Sequence, residues 1–151
     1  MGLGMYLSGK NSDGSTTEVA YWRKANAIHR WFVNNVQDGI DECQETIVTR
    51  NQLFTLLQIC QKIQNEVTMV PGLVKNGSRS IGGGYWEDIL YDGEIVNNPE
   101  VCHQLLPVQS GFFFGNTDYD EHYMNHIQET IEQIEKVLEL EFKEFVYSSS
   151  W

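Results

Sequence analysis

The chain has 151 residues, with 21 Asp or Glu against 10 Lys or Arg, a formal net charge of −11 at pH 7. A 41% hydrophobic and 12% aromatic composition supports a buried core and excludes global disorder, and no run of eighteen apolar residues offers a membrane-spanning helix. A pI near 4.6 argues against coating nucleic acid, because neutralising phosphates requires a basic field.

The N-terminal MGLGMYLSGK lacks the basic flank and apolar stretch of a secretion signal, and Tyr6 stands where a myristoylation pattern wants Ser or Thr. Its glycine-flanked apolar core predicts a short strand near residues 3–8. Residues 11–17, NSDGSTT, read as loop. From Val19 to Val36 the apolar residues recur at helical spacing, with Tyr21, Trp22, Ala25, Ile28, His29, Phe32, Val33 and Val36 on one broad face. A second short strand is expected at 45–48. Thr49 and Gln52 then have the spacing of a capping box, opening a helix from Asn51 to about Thr68. Apolar residues cover most of its circumference, so it is expected to be the central, most buried helix.

Residues 71–98 change character, with Pro71, Gly77, Gly82-Gly83-Gly84 and Asp92-Gly93. They read as a variable, glycine-rich flap or hairpin. Asn98-Pro99-Glu100 starts a short helix with proline at its first position. Residues 111–115, GFFFG, suggest a short strand or tight turn. Asp118-Tyr119-Asp120-Glu121 then caps a helix of some 27 residues, apolar on one face and acidic on the other. Residues 118–144 hold nine acids and two lysines. The expected architecture is a single domain over 1–151, mostly α with a minor β component, three main helices surrounding a central buried one. Three scattered cysteines (Cys43, Cys60, Cys102) with no C-x-x-C pair read as reduced, structural thiols.

Residues 20–33, AYWRKANAIHRWFV, concentrate three of the ten cations beside two tryptophans. On a helical wheel Tyr21, Trp22 and His29 belong to the core and Arg23, Asn26 and Arg30 to solvent, while Trp31 lies on a flank beside Lys24. One reading is a solvated basic face. The other is a recognition surface, in which an aromatic ring next to a cation stacks on a base and grips its phosphate. His122 and His126 share a helix side at i, i+4 and are weaker candidates as metal ligands, since the glutamate of the zinc-protease motif does not follow the first histidine. Ser80 to Gly84 lacks the Gly-Lys-Ser/Thr ending of a phosphate loop, and 108–112, VQSGF, is not a nucleophile elbow. No constellation pairs a nucleophile with a base, so a non-enzymatic protein without cofactor is expected.

Three motifs carry a resemblance: M-G-L-x-M-Y-L at the start, Y-W-R-K-A-N-x-I-H-x-W-F, and L-P-x-Q-S-G-F-F-F-G. They resemble a family of small phage and prophage proteins, over residues 1–7, 19–36, 46–63 and 105–140. Gly4 stands where that family has an acid. The family carries no settled activity. The resemblance implies a phage-encoded protein in the cytoplasm of a bacterial host, a setting in which small proteins often counter host defence. The leading expectation is sequestration of an anionic nucleotide-type signal. Trp22, Arg23, Lys24, Asn26, Trp31, Gln109 and Ser110 would form its site. The alternative is an inhibitor that grips a host protein through the acidic last helix or a Trp31 patch; a metal-dependent phosphoesterase is a remote third. No membrane or direct nucleic-acid partner is expected, and self-association is compatible with the sequence.

Overall fold

The structure is a computed structural model that describes residues 2–111 and 114–151. In chain order the elements are β1 (Gly4–Lys10), β2 (Thr16–Arg23), α1 (Asn26–Asn35), β3 (Thr46–Thr49), α2 (Arg50–Glu66), β4 (Met69–Gly82), β5 (Tyr85–Val96), α3 (Pro99–Leu105), α4 (Glu121–Leu138) and β6 (Glu144–Ser150). β2, β1, β6 and β3 form, in that order, an antiparallel four-stranded sheet, and β4 with β5 forms a separate hairpin. No helix among the described residues is long and apolar enough to cross a membrane.

The expectation of a mostly helical protein with a minor sheet is overturned. About 35% of the described residues are helix and 36% strand, in four helices and two sheets. Three segments account for the difference. Residues 19–23 are strand, with Ala20 and Trp22 buried and Tyr21 and Arg23 exposed, the period-2 alternation of a half-buried strand. The helix begins only at Asn26. The last helix stops at Leu138 rather than reaching 144, and β6 follows, burying Phe145, Tyr147 and Ser149 on alternate positions. Residues 71–98 lie almost wholly in the hairpin. Of the strand or turn expected at 111–115, Gly111, Phe114 and Gly115 are not in a strand, and Phe112 and Phe113 lie outside the described residues.

Other local readings hold. Thr49 and Gln52 make the reciprocal capping box, Pro99 opens α3, and Asp120 caps α4 by accepting from the backbone N–H groups of His122 and Tyr123. α2 is not buried all round. Leu53, Leu56, Leu57, Cys60 and Ile63 face the core while Phe54 is half exposed, so it is an amphipathic helix lying over the core. Arg50 ties its start to the end of α4, its guanidinium donating to the carbonyls of Leu138, Leu140 and Phe142. Gly9 on β1 is a steric requirement: a Cβ there would lie 2.5 Å from the Phe142 ring.

The sheet's inner face carries the centre of the core. Met5 pairs with Trp22 and Leu7 with both Ala20 and Tyr147 across the strands. Phe32 of α1 stacks on Tyr147 with centroids 3.9 Å apart. Beside this stack His29 is fully buried. The Asp41 carboxylate can only accept, so Nε2 of His29 donates to it (2.9 Å) and Nδ1 accepts from the Tyr147 hydroxyl (2.6 Å). Trp151 donates its indole N–H to the same Asp41 oxygen, which closes the C-terminus over the network.

Burial pushes the His29 pKa below its usual 6.5, against the opposing pull of Asp41. His126 is lowered too, by burial and by neighbouring His122. Between the folded and unfolded values the unfolded chain binds more protons, so stability is lost as pH falls through about 6.5. Asp120 and Glu129, raised mainly by burial, act with the opposite sign further down, in the carboxylate range. The urea midpoint is therefore expected to be lower at about pH 5.5 than at pH 7, and His29→Gln to flatten this dependence. An identical pH dependence in His29→Gln would show that the buried histidine does not carry it.

Candidate functional site

Where β2 ends, the chain turns sharply through Lys24, which takes a left-handed conformation with φ 55°. A lysine there is strained by roughly 1–2 kcal/mol relative to right-handed backbone. The turn is held by the Lys24 N–H donating to the Leu3 carbonyl at 2.8 Å. It faces the start of α4 and the base of the hairpin across a cleft of about 580 Å³, within the size range of small-molecule sites.

Three groups of residues wall the cleft. The β2–α1 junction contributes Arg23, Lys24, Ala25 and Asn26, and the hairpin contributes Lys75, Asn76 and Gly77. Gly115, Asn116 and Asp118 of the loop before α4, with Asp120, His122, Tyr123 and His126, complete it. Gly115, at φ 86°, runs against the Lys24 stem, where an added Cβ would come within 3.3 Å of the Lys24 Cβ.

Asn26 organises this side of the cleft. It is buried, its amide donates to the carbonyls of Phe114 (3.1 Å) and Asn116 (2.9 Å), and its Oδ1 accepts from the Gln109 N–H (3.0 Å). One side chain thus pins both arms of the 107–120 loop. Asn26→Ala would leave a buried donor and two carbonyls unpaired, a loss of about 2–4 kcal/mol. A urea-unfolding free energy within about 0.5 kcal/mol of wild type would show that the loop holds itself without Asn26.

The hairpin is joined to the opposite wall. Tyr91 Oη and His122 Nε2 are 3.0 Å apart, and Glu121 accepts from the Glu94 N–H at 3.0 Å. Asn116 donates to the Lys75 carbonyl and to Asp120. The Asp120 carboxylate is thereby occupied by its helix cap and by Asn116, and burial raises its pKa. His126 faces the cleft with a ring that makes no hydrogen bond among the described residues, and its lowered pKa keeps it neutral at pH 7.

The cations are distributed unequally. Lys75 pairs with Asp88 at 3.1 Å, and Arg79 pairs with Glu87. Arg30 donates to the Val108 carbonyl. Arg23 and Lys24, both exposed, make no ion pair among the described residues. Their side chains converge: a Cβ on Gly2 would lie 2.9 Å from Lys24 Cε and 3.3 Å from Arg23 Nη2. The cleft they line also holds the carboxylates of Asp118 and Asp120, neither of them within ion-pair distance of Arg23 or Lys24.

Of the residues expected to form a site, Arg23, Lys24 and Asn26 line this cleft, and so do His122 and His126. The others do not. Trp22 is fully buried, with its indole N–H donated to Thr130 Oγ1 at 2.9 Å. Trp31 is buried as well, edge-on to Phe32 at 5.2 Å, so the expected flank patch is core. Gln109 holds Asn26 through its backbone and turns its amide to the Ser110 carbonyl. Stacking in the cleft would therefore fall to imidazoles rather than tryptophans. Lys75, Asn76 and Asn116 were invisible to spacing arguments, since they reach the cleft from distant segments. Among the described residues no group of three or more His, Cys, Asp and Glu is arranged to hold a metal ion. The chain matches no protein-family model, no curated protein and no solved structure.

Proposed function

We propose that the protein is a non-enzymatic binding protein that takes a phosphorylated small molecule of nucleotide type in the cleft between the β2–α1 turn, the hairpin base and α4. The observation that carries this reading is that Arg23 and Lys24, which make no ion pair among the described residues, both line the cleft. Charge-assisted contacts from such a pair suit a phosphate. Asn26, Asn76, Asn116 and the neutral His126 supply donors and acceptors for the uncharged part of the ligand. The strain held at Lys24 agrees with a side chain retained for its charge, because glycine would relieve it.

The resemblance of the three motifs to phage and prophage proteins supports a setting inside a bacterium, where sequestering a nucleotide signal would blunt a host defence. The alternative, inhibition of a host protein, keeps only the exposed acidic row of α4, Glu129, Glu132 and Glu135, because Trp31 is buried. Mass spectrometry of small molecules released by denaturing the natively purified protein, followed by calorimetry with nucleoside mono-, di- and triphosphates and cyclic dinucleotides, tests the reading. Binding of one such compound per chain is the expected result. Failure of the whole panel at millimolar concentration would contradict it.

A further inference from the structure

The cleft holds charges of both signs that do not pair with one another. Arg23 and Lys24 make no ion pair among the described residues, and neither do Asp118 and Asp120. The two carboxylates differ in what they already hold. Asp120 is buried and accepts from the His122 and Tyr123 N–H groups and from the Asn116 amide. Asp118 is exposed, and its carboxylate accepts no hydrogen bond among the described residues. Its backbone N–H donates to Asn116 Oδ1 at 2.8 Å, while the Asn116 amide is committed to the Lys75 carbonyl and Asp120. The loop is thus fixed by other groups, and the Asp118 side chain is left to solvent or to a ligand.

This arrangement restricts what the cleft can take. An acid in a site for a phosphorylated molecule repels the phosphate unless the ligand also brings donors to it. The ligand therefore needs an anionic end for Arg23 and Lys24 and an edge of N–H donors for Asp118. Ala25, Ala27, Ile28, Val108, Tyr123 and Ile127 supply apolar lining, which suits a flat ring. An ionised carboxylate has two acceptor oxygens and no donor. Guanine meets it with two adjacent donors, N1–H and the exocyclic N2 amine, in a bidentate charge-assisted contact. Adenine and cytosine place a ring-nitrogen lone pair beside their amine. Uracil flanks its N–H with carbonyls, and hypoxanthine has only C–H where guanine has the amine.

We propose that the ligand of the cleft is a guanine nucleotide, its phosphate held by Arg23 and Lys24 and its N1–H and N2 amine donated to the Asp118 carboxylate. This rests on the cleft being a nucleotide site, as proposed above, and adds the base and the residue that selects it.

GMP, IMP, XMP and AMP carry the same ribose and phosphate, so calorimetry with these four isolates the base. Wild type is expected to bind GMP about tenfold or more tightly than the other three, the loss of one charge-assisted bond. Asp118→Asn exchanges one acceptor for an N–H donor. Xanthine has a carbonyl where guanine has its amine, so this variant is expected to prefer XMP to GMP. If Asp118 acted through charge alone, the variant would bind all four more tightly and by the same factor. That result would overturn the base assignment and leave the nucleotide site standing, as would equal affinity of wild type for GMP, IMP and AMP. Failure of GMP to bind at millimolar concentration would overturn it as well. With another nucleotide bound, only the base assignment falls; with none bound, the proposed function falls too.

Discussion

Trp22→Ala is expected to destabilise the protein by about 3–5 kcal/mol, the range for deleting a large buried aromatic. The indole is fully buried, tilted against Phe32 at 6.1 Å, and paired through its N–H with Thr130, whose own hydroxyl donates to the His126 carbonyl. The loss therefore falls on the junction between sheet and α4, beneath the cleft. Against a total stability of typically 5–15 kcal/mol, that is a large fraction of what holds the fold. Tyr21→Ala provides the comparison. If residues 19–23 were helical, both rings would belong to the core face. As a strand, only Trp22 does, and Tyr21 leans outward on Tyr6 at 5.4 Å, so its truncation is expected to cost about 1 kcal/mol or less. Chemical denaturation of the two variants reads the difference, and equal large losses would contradict the strand.

Reversing the charge at the cleft should separate binding from folding. Arg23→Glu with Lys24→Glu alters two exposed side chains that make no ion pair among the described residues, so stability should change by about 0.5 kcal/mol or less. The phosphate would lose two charge-assisted contacts of roughly 1.5–3 kcal/mol each, a weakening of at least a hundredfold. Lys62→Glu, an equal change at an exposed position of α2 that does not line the cleft, is expected to leave affinity within about twofold at moderate salt. Calorimetry with the tightest-binding nucleotide of the panel compares the three proteins. Undiminished affinity in the folded double variant would mean that Arg23 and Lys24 are ordinary solvated surface.

The features legible from sequence are those whose cause is local. The Thr49–Gln52 box, Pro99 and Asp120 announce helix starts within a few residues of the backbone groups they satisfy. Strand β2 escaped notice because Trp22, Ala25 and Ile28 fall at helical spacing; what makes residues 19–23 a strand is β1, whose Met5 and Leu7 pair with them. Strand β6 alternates Phe145, Tyr147 and Ser149 inward, but serine at a core position blurs the pattern, and its partners lie far away in sequence. The hairpin shows little apolar alternation because its distal half has no buried face. In the cleft, Arg23, Lys24 and Asn26 could be picked out since charge and amide groups concentrate there. Lys75 and Asn116 could not, because only the folded chain brings the Asn116 amide to the Lys75 carbonyl.

The central claim is that a phosphorylated small molecule occupies the cleft, and backbone amide chemical shifts during titration of the ¹⁵N-labelled protein locate it most directly. With the tightest-binding nucleotide of the panel, the largest shifts are expected at Arg23 to Asn26, Asn76 to Gly77 and Gly115 to Asn116, the residues that wall the cleft. Shifts confined to the hairpin tip at Ile81 to Trp86 or to the acidic face of α4, or no shifts with any nucleotide, would contradict the account.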